Sequence, residues 1–391
     1  MASVLDPNET RRANEARHSR PTPRLQSRIK AIGYAAKHCF SHLKPFEFER
    51  AGAGEKEVEI QVLYCGVCHS DIHQVRNEWN NTVYPCMPGH EVIGRVTALG
   101  SGVTRHKIGD LVGVGCMIDS CGQCEACRGG AENYCESPNG WLATYNGPMI
   151  PPQKAAGHAN IYGRENTFGG YSNVLVVKQD FVLKIPSALD ADAAAPILCA
   201  GVTTYSPLKR WDVKPGKHVG IVGFGGLGNI GAKLAKAMGA HVTIFTHTEQ
   251  KVEEATQLGF TAILERDEKA LCAAASSFDF ILSTIPEKHD INPYIALLKR
   301  DSTICVVGCL EPLEPVDNTQ VVTHRKGIAG SLIGSIKETQ EVLQFCAEHA
   351  VAPDIQVIRI DELNDAYHRV KRGDVRYRYV IDMSSLHSSS A

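Results

Sequence analysis

Cys121, Cys124, Cys127 and Cys135 fall within fifteen residues, in the spacing Cys-x2-Cys-x2-Cys-x7-Cys. Four thiolates this close can close a tetrahedron around Zn2+ with no open position, the donor set of a structural metal site. Two disulfides would instead need an oxidising compartment, and a nucleic-acid zinc ribbon would need separated cysteine pairs on a basic surface. A second group of soft donors is dispersed: Cys68, then Gly89-His90-Glu91, and far downstream Leu198-Cys199-Ala200. A catalytic zinc needs three protein ligands and one exchangeable position, where it polarises a carbonyl oxygen or acidifies an alcohol. Each of these residues also has a plain reading as core. Cys65, Cys86 and Cys116 compete as ligands, and spacing alone does not choose Cys68 over Cys65.

A third cluster is built for phosphate. Gly223-Phe224-Gly225-Gly226-Leu227-Gly228 follows an apolar run and opens a helix with Leu227, Ile230, Leu234 and Met238 on one face. In that context Gly223 permits a tight turn, Gly225 lets the backbone approach a pyrophosphate, and Gly228 allows close helix–strand packing. Free N–H groups at the helix N-terminus then meet the phosphates. A site for NAD would carry Asp or Glu at the end of the second strand. The chain reads Thr246-His247-Thr248-Glu249-Gln250-Lys251 there. Hydroxyls, an imidazole and a lysine suit a 2′-phosphate, so the expected cofactor is NADP, with Glu249 the one acid in the loop.

The elements that must position these groups differ along the chain. From 29 to 186 short β-like runs such as Val58–Tyr64 and Asp110–Gly115 alternate with Gly-rich turns. From 187 to 324 strand and helix alternate: His218–Val222, Leu227–Met238 and His241–Phe245, with later strands at Phe280–Ile285 and Thr303–Val307. This is the pattern of a doubly wound parallel sheet. The remainder, 325–391, has a helix near Ile336–His349 and a closing strand near Tyr377–Asp382. The expected fold class is α/β, a Rossmann domain at 187–324 set into a mostly β catalytic domain at 29–186 and 325–391. Residues 1–28, rich in Arg, Pro, Asn and Ser, read as a disordered tail; Arg11, Arg12, Arg17, Arg20 and Arg24 leave mitochondrial targeting open, against which stand Asp6, Glu9 and Glu15. With 41 basic and 43 acidic residues there is no field to attract nucleic acid or a membrane, and no apolar run suits a bilayer span. Fourteen cysteines in such a chain point to metal ligation in a reducing, cytoplasmic setting rather than to disulfides.

Taken together, these motifs resemble the zinc-containing medium-chain dehydrogenases/reductases, and most closely the cinnamyl-alcohol-dehydrogenase-like branch of broad NADP-dependent aldehyde reductases. The resemblance covers about residues 29–383. It is carried by Tyr64-Cys-Gly-Val-Cys-His-Ser-Asp-Ile-His73, Pro88-Gly-His-Glu91, the four-cysteine lobe and Leu198-Cys-Ala-Gly-Val-Thr-Thr-Tyr-Ser-Pro207. The glycine fingerprint, Gly330-Ser-Leu-Ile-Gly-Ser-Ile-Lys-Glu-Thr339 and Asp374-Val-Arg-Tyr-Arg-Tyr-Val380 complete it. Two cysteines and a histidine are the catalytic zinc ligands known from alcohol dehydrogenase, and the resemblance assigns them to Cys68, His90 and Cys199, with Glu91 entering the zinc shell transiently. It implies that Asp71 orients His90, that Ser70 and His73 relay the alcohol proton, and that Thr203 lies near the nicotinamide. It also implies cofactor contacts from Ser331 and, at the pyrophosphate, Arg378. The implied reaction is hydride transfer from NADPH to an aldehyde held at zinc, by a homodimer with substrate in the interdomain cleft, a GroES-like catalytic domain on one side. Two features depart from the pattern: Asn229, where relatives often carry His, and the long stretch 137–167. Trp79 and Trp141 are candidate aromatic walls for an aryl or allyl aldehyde. The competing readings are an NAD-linked or polyol dehydrogenase, opposed by Thr246 to Lys251, and a non-catalytic relative, opposed by the intact ligand and relay set.

Overall fold

A computed structural model describes residues 27–148, 162 and 166–386. The N-terminal tail before Ser27 and the middle of the 137–167 stretch therefore lie outside the described residues. Within them, no helix is long and apolar enough to cross a membrane.

Six parallel strands form one sheet, in the order Thr261–Leu264, His241–Thr246, His218–Val222, Phe278–Ser283, Leu298–Val306, Gly327–Gly330. Strand His218–Val222 is buried beyond its first residue, as a central parallel strand covered by helices on both faces must be. The order runs outward in both directions from this strand, so the chain switches direction between it and Phe278–Ser283. A crevice opens there, beyond the carboxyl ends of the strands, where doubly wound sheets hold nucleotides.

One expectation is corrected. The last strand of this sheet, Gly327–Gly330, lies beyond residue 324, where the sequence reading ended the Rossmann unit. Alternating small and apolar residues in Gly-Ile-Ala-Gly carry too little periodicity to announce a strand, and only pairing with Thr303–Val306 makes it one.

The second sheet has seven strands and is mainly antiparallel. Its path is Ile355–Arg359, Arg378–Asp382, Glu57–Gly66, Val92–Leu99, Leu111–Val114, Leu183–Lys184, with Val174–Lys178 also on Glu57–Gly66. Strand Glu57–Gly66 alternates buried and partly exposed residues before ending in the buried pair Cys65 and Gly66. Its register against Val92–Leu99 places Cys65 opposite Val92, which brings the Gly89–Glu91 turn beside the residues that follow Gly66. Helix Ala200–Arg210 starts at Cys199 and packs on Gly226–Ala237, where a Cβ on Gly231 would sit 3.1 Å from Thr204 Cγ2. An apolar core shared by Ile93, Leu198, Val202, Ile230 and Val380 joins the two sheets.

Candidate active site

The dispersed donors converge. One ligand atom from each of Cys68, His90, Glu91 and Cys199 lies within 4.8 Å of all the others, and all four residues are buried. Cys68 is the N-cap of helix His69–Val75, immediately after the strand that ends at Gly66. Its Sγ is 3.9 Å from Cys199 Sγ, and His90 Nε2 is 3.1 Å from the same sulfur. Two sulfurs about 2.3 Å from a tetrahedral zinc stand about 3.8 Å apart, whereas a disulfide would bring them to about 2.05 Å. The residues present thus fit zinc.

Asp71 explains why the imidazole faces the thiols. It is fully buried and accepts from the Cys68 N–H (2.9 Å), the Gly89 N–H (3.3 Å) and the Tyr171 hydroxyl (2.9 Å). Its Oδ1 is also 3.0 Å from His90 Nδ1. By accepting the hydrogen bond of the Nδ1–H, it leaves the Nε2 lone pair pointing at the sulfurs. The hydrogen bond from Cys199, assisted by the charges of Arg378 and His90, pulls the Cys68 thiol well below its usual range despite burial. Cys65 is the opposite case: burial pushes its thiol far up, and its sulfur packs against the Gly89 and Gly170 backbone. Cys86 is core. Cys116 lies on the cleft next to Cys199 but outside the converging set.

Behind the ligands, Arg378 Nη2 hydrogen-bonds Glu91 Oε1, and both groups are buried. The same arginine lies along the glycine turn, its Cδ only 2.5 Å from where a Gly226 Cβ would be. Arg378 therefore ties the metal centre to the phosphate loop. At that loop Gly223 has φ +87°, Gly225 is open to the cleft, and a Cβ on Gly228 would fall 2.0 Å from Gly223 O. Gly226 and Leu227 begin the helix and line the same cleft, as does Thr203 from the first turn after Cys199.

The residues expected around a 2′-phosphate divide. His247, Thr248 and Lys251 line the cleft, and Lys251 Nζ reaches back 2.8 Å to Phe224 O. Burial lowers the Lys251 pKa. Thr246 sits beneath them at the strand end, buried with its hydroxyl unpaired. Glu249 is turned aside into an ion pair with Arg266 at 2.5 Å. Ser331 is not on the cleft; its N–H goes to Val306 O, and its neighbours Leu332 and Ile333 form the wall instead. Asn229 is buried behind the turn, donating to Asp354 Oδ2 at 3.2 Å.

One cleft of about 890 Å3 runs from these groups to the metal centre. Ser70 and His73, three residues apart on one helix face, both open onto it. His73 Nδ1 is hydrogen-bonded to Glu78, a residue the sequence reading missed, and Lys371 Nζ lies 3.7 Å from the same carboxylate. An acid five residues after the histidine, beyond the helix end, was the available signal. Trp79 lines the cleft while stacking on His73 at 5.5 Å; Trp141 lines it with Ala143 and Tyr145.

The cysteine lobe is also formed. Cys121 and Cys127 sulfurs are 3.8 Å apart, again the tetrahedral spacing, and all fourteen cysteines of the chain are free thiols. Backbone N–H groups of Glu136 and Cys127, each 3.4 Å from Cys124 Sγ, pull that thiol down to about 6.

Residues 54–187 match the alcohol dehydrogenase GroES-like domain, and residues 226–348 match the zinc-binding dehydrogenase domain. The chain is 50% identical over 365 residues to aldehyde reductase YahK of Escherichia coli (strain K12), covering 92% of this chain and 99% of that one. It belongs to the zinc-containing medium-chain dehydrogenase/reductase family, in the cinnamyl-alcohol-dehydrogenase-like branch. Cinnamyl alcohol dehydrogenase SbCAD4 from Sorghum bicolor superposes with a TM-score of 0.84 at 43% identity, covering 91% and 98% of the two chains. CAD from Helicobacter pylori, solved with NADP(H), gives 0.83 at 37% identity, covering 92% and 99%. Asn229 makes a polar link from the fingerprint helix to Asp354, the residue before the strand beginning at Ile355.

Proposed function

We propose that the chain is an NADPH-dependent aldehyde reductase of aryl, allyl or medium aliphatic aldehydes, reversible with primary alcohols. The observation that carries this is the single cleft joining a Cys2His centre to a glycine turn flanked by cations. Zinc would be held by Cys68, His90 and Cys199, with Glu91 beside them, and Cys121, Cys124, Cys127 and Cys135 would hold a second ion. When bound, zinc supplies a Lewis acid for the carbonyl oxygen and NADPH supplies the hydride.

The protein groups prepare and complete that transfer. Asp71 fixes the His90 ring through Nδ1. Arg378 offsets the Glu91 carboxylate and holds the glycine turn close. Ser70 Oγ gives a proton to the product oxygen, since a hydroxyl can donate and accept at once. With Nδ1 committed to Glu78, the His73 Nε2 is the ring atom that exchanges protons toward solvent. Trp141 and Tyr145 exclude water at the reacting end. The reading also takes the enzyme as a cytoplasmic homodimer joined through the nucleotide sheets. Cysteine sulfurs set at zinc-ligand rather than disulfide spacing support a reducing compartment, and the edge strand Gly327–Gly330, with Ile328 and Val322 exposed nearby, supports the joint.

The test is a panel of aryl, allyl and aliphatic aldehydes followed by NADPH oxidation, together with metal analysis. Turnover with NADPH and two zincs per chain are expected; one zinc, or a strong preference for NADH, would remove the corresponding assignment. Glu78→Gln should slow turnover about tenfold and enlarge the solvent deuterium isotope effect, with the KM for NADPH unchanged. An unaltered isotope effect would take Glu78 out of the proton path.

A further inference from the structure

The four-cysteine lobe reaches the substrate cleft through two side chains. Immediately before Cys135, the turn Glu132–Tyr134 meets the segment after strand Gly327–Gly330, about two hundred residues later. Asn133 is 3% exposed, and its Nδ2 donates to Leu332 O at 2.8 Å. The Leu332 N–H donates to the Tyr134 hydroxyl at 3.1 Å, so both backbone groups of Leu332 are held by the lobe. One turn on, the Ile336 N–H points at Glu132 Oε2 at 3.4 Å.

The gripped residues are wall residues. Leu332 and Ile333 line the cleft, as does Trp141. Ile333 has φ +42°, a left-handed conformation that β-branched residues rarely adopt and that persists only where neighbours over-determine it. The neighbours here are the lobe on one side and, on the other, the capping box of helix Ile336–His349 formed by Ser335 and Glu338. Trp141, a further lining residue, is anchored from the same lobe: Ser137 Oγ lies 3.5 Å from Cys135 Sγ and donates to Gly140 O at 3.0 Å, directly before Trp141.

We propose that Asn133 and Tyr134 are positioning residues that set aldehyde discrimination by fixing Leu332 and Ile333 in the cleft wall. The inference rests on the aldehyde reductase reading above. A small aliphatic aldehyde leaves that wall largely uncontacted, whereas an aryl aldehyde must pack against it, and loosening the wall costs only the larger substrate.

Asn133→Ala and Tyr134→Phe test this, the second removing only a hydroxyl from an exposed ring. Each is assayed with NADPH against cinnamaldehyde and propanal, with zinc content and thermal midpoint measured alongside. The expected result is a KM for cinnamaldehyde raised about tenfold. The kcat for both substrates and the KM for propanal and for NADPH should stay within about twofold, with zinc unchanged. A cinnamaldehyde-to-propanal ratio of kcat/KM unchanged in both variants overturns the proposal. So does an equal loss on both substrates, which marks a merely structural contact. A wild-type enzyme that reduces neither aldehyde removes the proposed function and this inference together, while an active wild type with unaltered ratios removes the inference alone.

Discussion

Cys68→Ser should lower turnover by at least about a thousandfold and release about one zinc per chain. A serine hydroxyl at that N-cap is neutral at working pH and a poor zinc ligand, so the site would lose both a bond and the thiolate charge that balances the cation. The surrounding fold should survive, because Asp71 keeps its bonds to Gly89, His90 and Tyr171. Cys65→Ser, three residues away, should keep turnover within about twofold while costing about 1–3 kcal/mol of stability. Its thiol is neutral, buried and packed against glycine backbone, with its S–H 3.7 Å from Gly66 O. Turnover and zinc content of the two variants decide the matter. Loss of zinc in Cys65→Ser with retention in Cys68→Ser would overturn the ligand assignment.

That pair also marks where sequence reading stops. The four-cysteine lobe and the glycine fingerprint were legible because each is local: the ligands or N–H groups lie within one turn-rich stretch, and spacing alone limits the geometry. The catalytic centre is assembled from Cys68 and Cys199, 131 residues apart. Resemblance chose Cys68; the physical reason appears only in the fold. The strand ends at Gly66, so Cys65 belongs to a buried pleat and Cys68 to the cap of the next helix. Glu78 and the Leu332–Ile333 wall escaped notice for a related reason. Each is defined by what it touches across a loop, and neither carries a local pattern. The Gly327–Gly330 strand escaped because two of its four residues are glycine and its partner is 24 residues upstream, Thr303 against Gly327. Ser331 is the converse case: its N–H turns to Val306 O, while Leu332 and Ile333, the next two residues of the same motif, line the cleft.

The cofactor assignment yields the second large effect. Lys251→Ala should lower kcat/KM for NADPH by about ten- to a hundred-and-sixtyfold and leave NADH within about twofold, so that the preference collapses rather than activity. Lys251 is the one lysine on the first turn after the second strand, and it already lies across the glycine turn through Phe224 O. Burial lowers its pKa, so the ammonium gains from a dianionic partner more than an exposed lysine would. A charge-assisted hydrogen bond of this kind contributes about 1.5–3 kcal/mol, and 1.36 kcal/mol corresponds to tenfold, which gives the range above. NADH has only a ribose hydroxyl there and meets no ion pair to lose. Glu249, the acid that could have opposed a phosphate, is engaged by Arg266 at the exposed side of the same loop. Arg266→Ala should therefore weaken NADPH modestly, by freeing Glu249, in the same direction as Lys251→Ala. Steady-state kinetics with both nucleotides at two ionic strengths provide the measurement: the NADPH advantage should shrink with added salt in wild type and much less in Lys251→Ala. Equal losses on NADPH and NADH in Lys251→Ala would mean that this lysine supports the glycine turn and does not read the 2′-phosphate.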